Sequence, residues 1–85
     1  SYKKSKRRIA MEIIMPSLGE TVDEGKVIKW HKNVGDEIKE GDILCEVETD
    51  KTAAEIPSTV NGTLTEITAP EGETIPVGGK IATVE

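Results

Sequence analysis

A lysine set at the tip of a turn is the residue of this 85-residue sequence whose position most needs a reason. Lys51 lies within Glu48-Thr49-Asp50-Lys51-Thr52-Ala53-Ala54-Glu55. The partly alternating Ile43 to Val47 precedes this stretch, and Ala53 to Ile56, closed by Pro57-Ser58, ends it, so the pattern predicts a hairpin with Lys51 at its tip. Two-residue hairpin turns favour Gly or Asn because they need positive φ, and Asp50-Lys51 offers neither. Turn propensity alone therefore does not explain Lys51, although tips are also where ordinary solvated lysines collect. The other groups able to do chemistry lack company. His31 has no second histidine with which to bind a metal or build a triad. Glu46 and Glu48 share a face by strand alternation and mimic an acid–base pair, but no nucleophile accompanies them, and they read as a solvated or partner-facing acidic surface.

Composition limits what can surround the lysine. A chain this short buries only about 60–65% of its unfolded surface, so its core is thin. Phe is absent, Trp30 and Tyr2 are the only aromatic residues, and the apolar content is mainly Ile, Val, Leu and Ala. Such material fills a small β-sandwich better than it lines a deep enzyme pocket. Cys45 is the only cysteine, which excludes an intramolecular disulfide and is compatible with a reducing compartment without requiring one. No apolar run approaches the roughly 18 residues of a membrane span or the core of a signal peptide, so no membrane is expected.

Charge divides the chain in two. Lys3, Lys4, Lys6, Arg7 and Arg8 supply five of the 11 basic residues, leaving six against all 16 acidic ones: a body of net −10 beside an arm of net +5. An acidic body argues against nucleic-acid binding, which needs clustered cations for phosphate contacts. Residues 1–10 read as a basic tail or expression remnant, with disorder expected from their lack of apolar periodicity, and residues 11–85 as one domain.

Within the domain an internal repeat sets the architecture. Gly25, Val27, Trp30, Gly35, Ile38, Gly41, Leu44, Val47 and Glu48 recur as Gly62, Leu64, Ile67, Gly72, Ile75, Gly78, Ile81, Val84 and Glu85, at a constant offset of 37 (25 to 62, 48 to 85). Met15-Pro16-Ser17 also matches Ile56-Pro57-Ser58, but at an offset of 41 (16 to 57), so copy one has four extra residues, falling within Leu18 to Glu24. Units this short cannot bury a face alone and should pack on one another about an approximate two-fold axis. Eight strands are expected, near 12–15, 26–31, 37–39, 43–48, 53–56, 63–68, 74–75 and 80–84, with no helix. The repeat places Cys45 opposite Ala82, a core position, and His31 opposite Thr68, on the surface. Because Lys51 joins the two copies, its two-fold image is the gap between Glu85 and Glu12. Those residues should lie together at the far pole, an arrangement suited to a tethered carrier.

Several of these stretches carry a family resemblance. Met15-Pro16-Ser17-Leu18-Gly19-Glu20, Glu24-Gly25-Lys26-Val27-Ile28-Lys29-Trp30, Gly35-Asp36, Glu48-Thr49-Asp50-Lys51 and Glu55-Ile56-Pro57-Ser58 together resemble the lipoyl domain of 2-oxo acid dehydrogenase acyltransferase components, over about 11–85. Thr52 and Ala53 depart mildly from the family, in which Ala and then Thr or Val often follow the lysine. The resemblance implies an all-β flattened barrel, or barrel-sandwich hybrid, of two four-stranded antiparallel sheets with pseudo-two-fold symmetry. It implies that Lys51, flanked by Asp50 and Thr52, carries covalent lipoic acid, and that the domain is a swinging-arm carrier, not itself an enzyme, within a dihydrolipoyl acyltransferase. The arm would take acyl groups from a thiamine-diphosphate 2-oxo acid decarboxylase for transfer to coenzyme A.

The partners implied are a lipoyl ligase or transferase, that decarboxylase, the acyltransferase core and a dihydrolipoyl dehydrogenase. The compartment implied is the cytoplasm in bacteria and the mitochondrial matrix in eukaryotes. Leu18, Glu20, Val22, Asp23 and Glu24, on the lengthened loop, are the implied recognition residues, the apolar pair giving contact area and the acids orientation. A biotin carrier domain is the nearest alternative, but it normally sets Met on both sides of its lysine. An unmodified adaptor of the same shape is the third reading.

Overall fold

Short β-branched runs broken repeatedly by Gly or Pro do not propagate a helix, and they form strands instead. The computed structural model describes residues 9–85, and the basic arm Ser1 to Arg8, expected to be disordered, lies outside the described residues. The strands are β1 (Met11–Ile14), β2 (Glu24–Trp30), β3 (Glu37–Ile38), β4 (Ile43–Glu48), β5 (Ala53–Pro57), β6 (Gly62–Ile67), β7 (Thr74–Pro76) and β8 (Lys80–Val84). Each lies within a few residues of its expected place, and there is no helix among the described residues.

They form two four-stranded antiparallel sheets, ordered β1-β8-β6-β3 and β5-β4-β2-β7. Exchanging β1 with β5, β2 with β6, β3 with β7 and β4 with β8 turns one order into the other, which is the two-fold relation the repeat demands. Register agrees residue by residue: Val27 faces Val47 and Trp30 faces Cys45, while Leu64 faces Val84 and Ile67 faces Ala82, with a bulge at the same place in both pairs.

The first strand of each copy corrects the offset read from sequence. Cys45 and Glu46 of β4 pair with Ile56 and Glu55, whereas Ala82 and Thr83 of β8 pair with Ile13 and Glu12. Ile13 is thus the counterpart of Ile56, and Met15, bonded to Gly78 and Gly79, is the counterpart of Ser58, bonded to Gly41 and Asp42. The true offset is 43 (13 to 56, 15 to 58), not 41, and the shared Pro-Ser is a coincidence. Eight residues, 16–23, connect Met15 to Glu24 where two, Thr59 and Val60, connect Ser58 to Asn61, so the loop is longer by six rather than four. What hid the match is that a buried Met stands opposite a buried Ser, whose hydroxyl bonds the Val60 backbone at 2.7 Å.

Between the sheets lies a single thin core that includes Ile13, Met15, Val27, Ile38, Leu44, Val47, Ile56, Leu64, Ile81 and Val84. A bulge near Ile43 lets the consecutive Leu44 and Cys45 both turn inward, and the register places Cys45 at the predicted core position. Gly41 and Gly78 close equivalent turns at φ 96° and 90°, as the repeat requires. Met11 pairs with Val84 and Glu85 bonds Thr63, two residues after Asn61, whose side chain reaches Glu40. Glu40 adjoins Gly41, which bonds Ser58 at the end of the β4–β5 hairpin away from Lys51. The first and last strands therefore meet at the pole opposite the lysine.

Candidate functional site

Glu48 pairs with Ala53, leaving Thr49 to Thr52 as a four-residue turn. The Thr49 N–H donates to the Thr52 carbonyl at 2.7 Å, and the Thr49 hydroxyl oxygen accepts from the N–H groups of Lys51 and Thr52, each at 3.1 Å. This side-chain bonding closes the turn with no non-Gly residue at positive φ, which explains how Asp50-Lys51 stands where Gly or Asn was expected. Thr49 was not singled out from sequence, although a threonine two residues before a hairpin tip is a recognisable side-chain-closed turn signal.

Lys51 is exposed and, among the described residues, forms no ion pair. Its Nζ donates to Thr21 Oγ1 at 2.8 Å, a contact between the lysine turn and the lengthened loop across 30 residues of chain. Lys32 and Lys80, in contrast, are engaged by Asp42 and by Glu12 and Glu66.

An open cleft of about 620 Å³ separates the loop from the hairpin. Asp23 from the loop, Glu24 from the start of β2, Glu48 from the end of β4 and Asp50 from the turn line it, with Lys26, Thr21, Val22, Thr49 and Thr74 completing it. Four carboxylates against one lysine make this wall strongly acidic. Val22, Asp23 and Glu24 thus share a cleft with Thr49 and Asp50 of the lysine turn, and the exposed Glu20 adjoins Thr21. Leu18 is used differently. It is half-buried against the core, with its Cδ1 only 3.0 Å from where a Cβ on Gly25 would stand, so it anchors the loop more than it offers contact area. A second groove includes Glu37, Asn61, Gly62 and Thr63, the two-fold counterparts of Thr74, Glu24, Gly25 and Lys26. The matched positions do not favour acid at the lysine pole, since Glu37 stands for the neutral Thr74 while Asn61 and Thr63 stand for Glu24 and Lys26; the excess there comes from Asp23 and Asp50, in the longer loop and the lysine turn.

The remaining candidates are structural. Cys45 is fully buried, and burial pushes its thiol from 9.0 up to about 12, which makes it a poor nucleophile. His31 Nε2 meets Glu46 Oε2 at 2.6 Å on the surface, which separates Glu46 from Glu48 in use. No cluster among the described residues has the ligands for a metal. No helix among them is long and apolar enough to cross a membrane.

The symmetric β-sandwich presents Lys51 on the turn that joins its two halves, and comparison with known proteins identifies the kind of domain. The family model described as "Biotin-requiring enzyme", of biotin/lipoyl type, matches residues 11–84. The solution structure of the lipoyl domain of the Azotobacter vinelandii 2-oxoglutarate dehydrogenase complex is 30% identical, with a TM-score of 0.68, over 87% of this chain and 94% of that one. The dihydrolipoyllysine-residue acetyltransferase component of the pyruvate dehydrogenase complex is 49% identical over 75 residues in Mycobacterium bovis, covering 88% of this chain and 14% of the relative. In Corynebacterium glutamicum the same component is 47% identical over 76 residues, covering 89% and 11%. The chain therefore spans less than a fifth of the curated relatives it matches. Kluyveromyces lactis urea carboxylase, at 20% identity and a TM-score of 0.76 over 100% of this chain and 7% of that one, shares the fold. The chain belongs to the biotin/lipoyl family and is a lipoyl domain, a carrier rather than a catalyst in its own right.

Proposed function

We propose that Lys51 is the site of lipoylation, and that the parent protein is a dihydrolipoyllysine acetyltransferase of a bacterial pyruvate dehydrogenase complex acting in the cytoplasm. The observation that carries this is the placement of Lys51: an exposed amine on a side-chain-closed turn, at the pole opposite the paired first and last strands, with no ion pair among the described residues. The residues present fit the group, because Lys51 is exposed at the tip and its Nζ contact, the 2.8 Å bond to Thr21 Oγ1, needs only the N–H that an amide keeps. When attached, lipoate supplies a cyclic disulfide that accepts an acyl group as it is reduced. The chain supplies the rest. Thr49 fixes the turn, so the arm's root has a defined direction, and tethering raises the effective concentration of the arm at each partner's site.

The partners this reading requires are a lipoyl ligase or transferase, the thiamine-diphosphate decarboxylase, the acyltransferase core and dihydrolipoyl dehydrogenase. The acidic cleft and its loop, with Glu20, Val22, Asp23 and Glu24, form the surface read by the decarboxylase. Coexpression of this chain with a lipoyl ligase and, separately, with a biotin ligase, followed by intact-mass measurement and peptide mapping, tests the assignment. One lipoyl group on Lys51 and no biotin is the expected result. Biotin on Lys51, or lipoate on Lys26, Lys29, Lys32, Lys39 or Lys80, would overturn it.

A further inference from the structure

We infer that Thr21 is a positioning residue for the carrier arm: its hydroxyl holds the Nζ of Lys51 against the lengthened loop and sets the direction in which the arm leaves the domain. This deepens the proposed function and rests on Lys51 being the attachment site. The observation is the 2.8 Å bond from Lys51 Nζ to Thr21 Oγ1, between two exposed side chains 30 residues apart. Two features give it consequence. The first is that both ends are held by local bonding: Thr49 closes the lysine turn, and a Val22 N–H to Gly19 carbonyl bond of 3.2 Å closes a turn around Thr21. The bond therefore joins two shaped segments instead of two loose ends.

The second is that the contact survives modification. Acylation of Nζ forms an amide, which loses the positive charge but keeps one N–H, and a hydroxyl oxygen accepts from an amide as it does from an ammonium. A carboxylate in place of Thr21 would bind the amine more strongly and lose most of that on acylation. A hydroxyl is close to indifferent to the change, which suits a residue that must hold the arm's root in the modified state. The bond spans the rim of the acidic cleft, whose lining includes Thr21 and Asp23 from the loop and Thr49 and Asp50 from the turn.

The test needs an amide at position 51 whether or not any ligase recognises the chain. Nε-acetyl-lysine labelled with 15N at Nζ, incorporated at position 51, supplies it, and hydrogen exchange of that single amide proton is read by NMR. Thr21→Val removes the acceptor at nearly constant volume, while Thr21→Ser keeps it. Exchange should be roughly 2- to 10-fold faster in Thr21→Val than in the parent, the range expected for loss of one exposed hydrogen bond. Thr21→Ser should restore the parent rate, and the melting temperature should not change in either. In the lipoylated chain, Thr21→Val should raise KM for decarboxylase-driven acylation by a similar factor with little change in kcat, again rescued by Ser. Equal exchange rates in the parent and Thr21→Val would overturn the inference even if Lys51 proves to be lipoylated. Failure of Lys51 to accept lipoate would instead remove the proposed function and leave the exchange result standing.

Discussion

Leu18→Ala separates the loop's two jobs, being held and being read. Leu18 is half-buried, packing on the core beside Met15, Gly25 and Val47. Full burial would make truncation cost roughly 2–5 kcal/mol, so about half of that, ~1–2 kcal/mol, is expected here. In a domain of this size that lowers Tm by roughly 5–15 °C. Gly25→Ala approaches the same contact from the other side, since the new Cβ would stand 3.0 Å from Leu18 Cδ1, 3.3 Å from Met15 Cε and 3.4 Å from Val47 Cβ. The Gly25 backbone is not in the left-handed region, so space alone decides its cost. Leu18→Ala provides that space, and the two substitutions together should therefore cost less than their separate costs combined, with a coupling of about 0.5–1 kcal/mol. Thermal denaturation of the four proteins measures the cycle, and amide exchange shows where order is lost. Residues 16–23 should lose protection while the β4–β5 hairpin keeps it, lipoylation should stay near normal, and acylation should slow several-fold. An unchanged Tm in Leu18→Ala, or strict additivity with Gly25→Ala, would refute the anchoring argument.

Further outcomes follow from other parts of the molecule. Lys51→Arg should change stability by less than about 0.5 kcal/mol, because the tip is exposed, yet abolish acyl carriage; denaturation and acylation assays check both. Gly41→Ala and Gly78→Ala should each cost about 1 kcal/mol and by similar amounts, since both sit at positive φ with nothing within 4 Å of an added Cβ, and unequal denaturation midpoints would show that the repeat fails there. Shortening the loop 16–23 to two residues, as in the second copy, should spare ligase modification of Lys51 and slow acylation, and an equal loss of both reactions would remove the loop's recognition role. Burial raises the Cys45 thiol from 9.0 to about 12, so this group's contribution to stability is intact below pH 9 and is lost as pH rises towards 12. Native protein should accordingly resist alkylation at pH 8 while denatured protein reacts quickly.

Much of this was legible in the sequence because the chain repeats itself. Nine matches at one offset, including three glycines, fixed the strands, the two-fold and the opposite poles of Lys51 and the paired end strands. Cys45 and His31 could be assigned by asking what their partners, Ala82 and Thr68, would do in the same place. The repeat misled where its copies diverged. Pro16-Ser17 and Pro57-Ser58 look alike but occupy different registers, and the real counterparts, Met15 and Ser58, share only their burial, one filling the core and the other satisfying its hydroxyl on the Val60 backbone. The site was legible in its lysine and its loop, not in its fastening. The Thr49 hydroxyl bonds partners 2 and 3 residues away and the Thr21 hydroxyl a partner 30 residues away, and no periodicity in the sequence records bonds of that kind. Leu18 likewise reads as an exposed loop residue until Gly25 is seen to leave room for it.

Every step of the proposed carrier chemistry passes through Lys51. The most direct measurement uses the lipoylated chain, incubated with a pyruvate decarboxylase component and labelled pyruvate in the absence of coenzyme A, followed by peptide mapping of the label. Label is expected on the peptide containing lipoylated Lys51, with none in Lys51→Arg. Label on any other residue, or a fully lipoylated chain that stays unlabelled with the pyruvate, 2-oxoglutarate and branched-chain decarboxylases alike, would contradict the proposal.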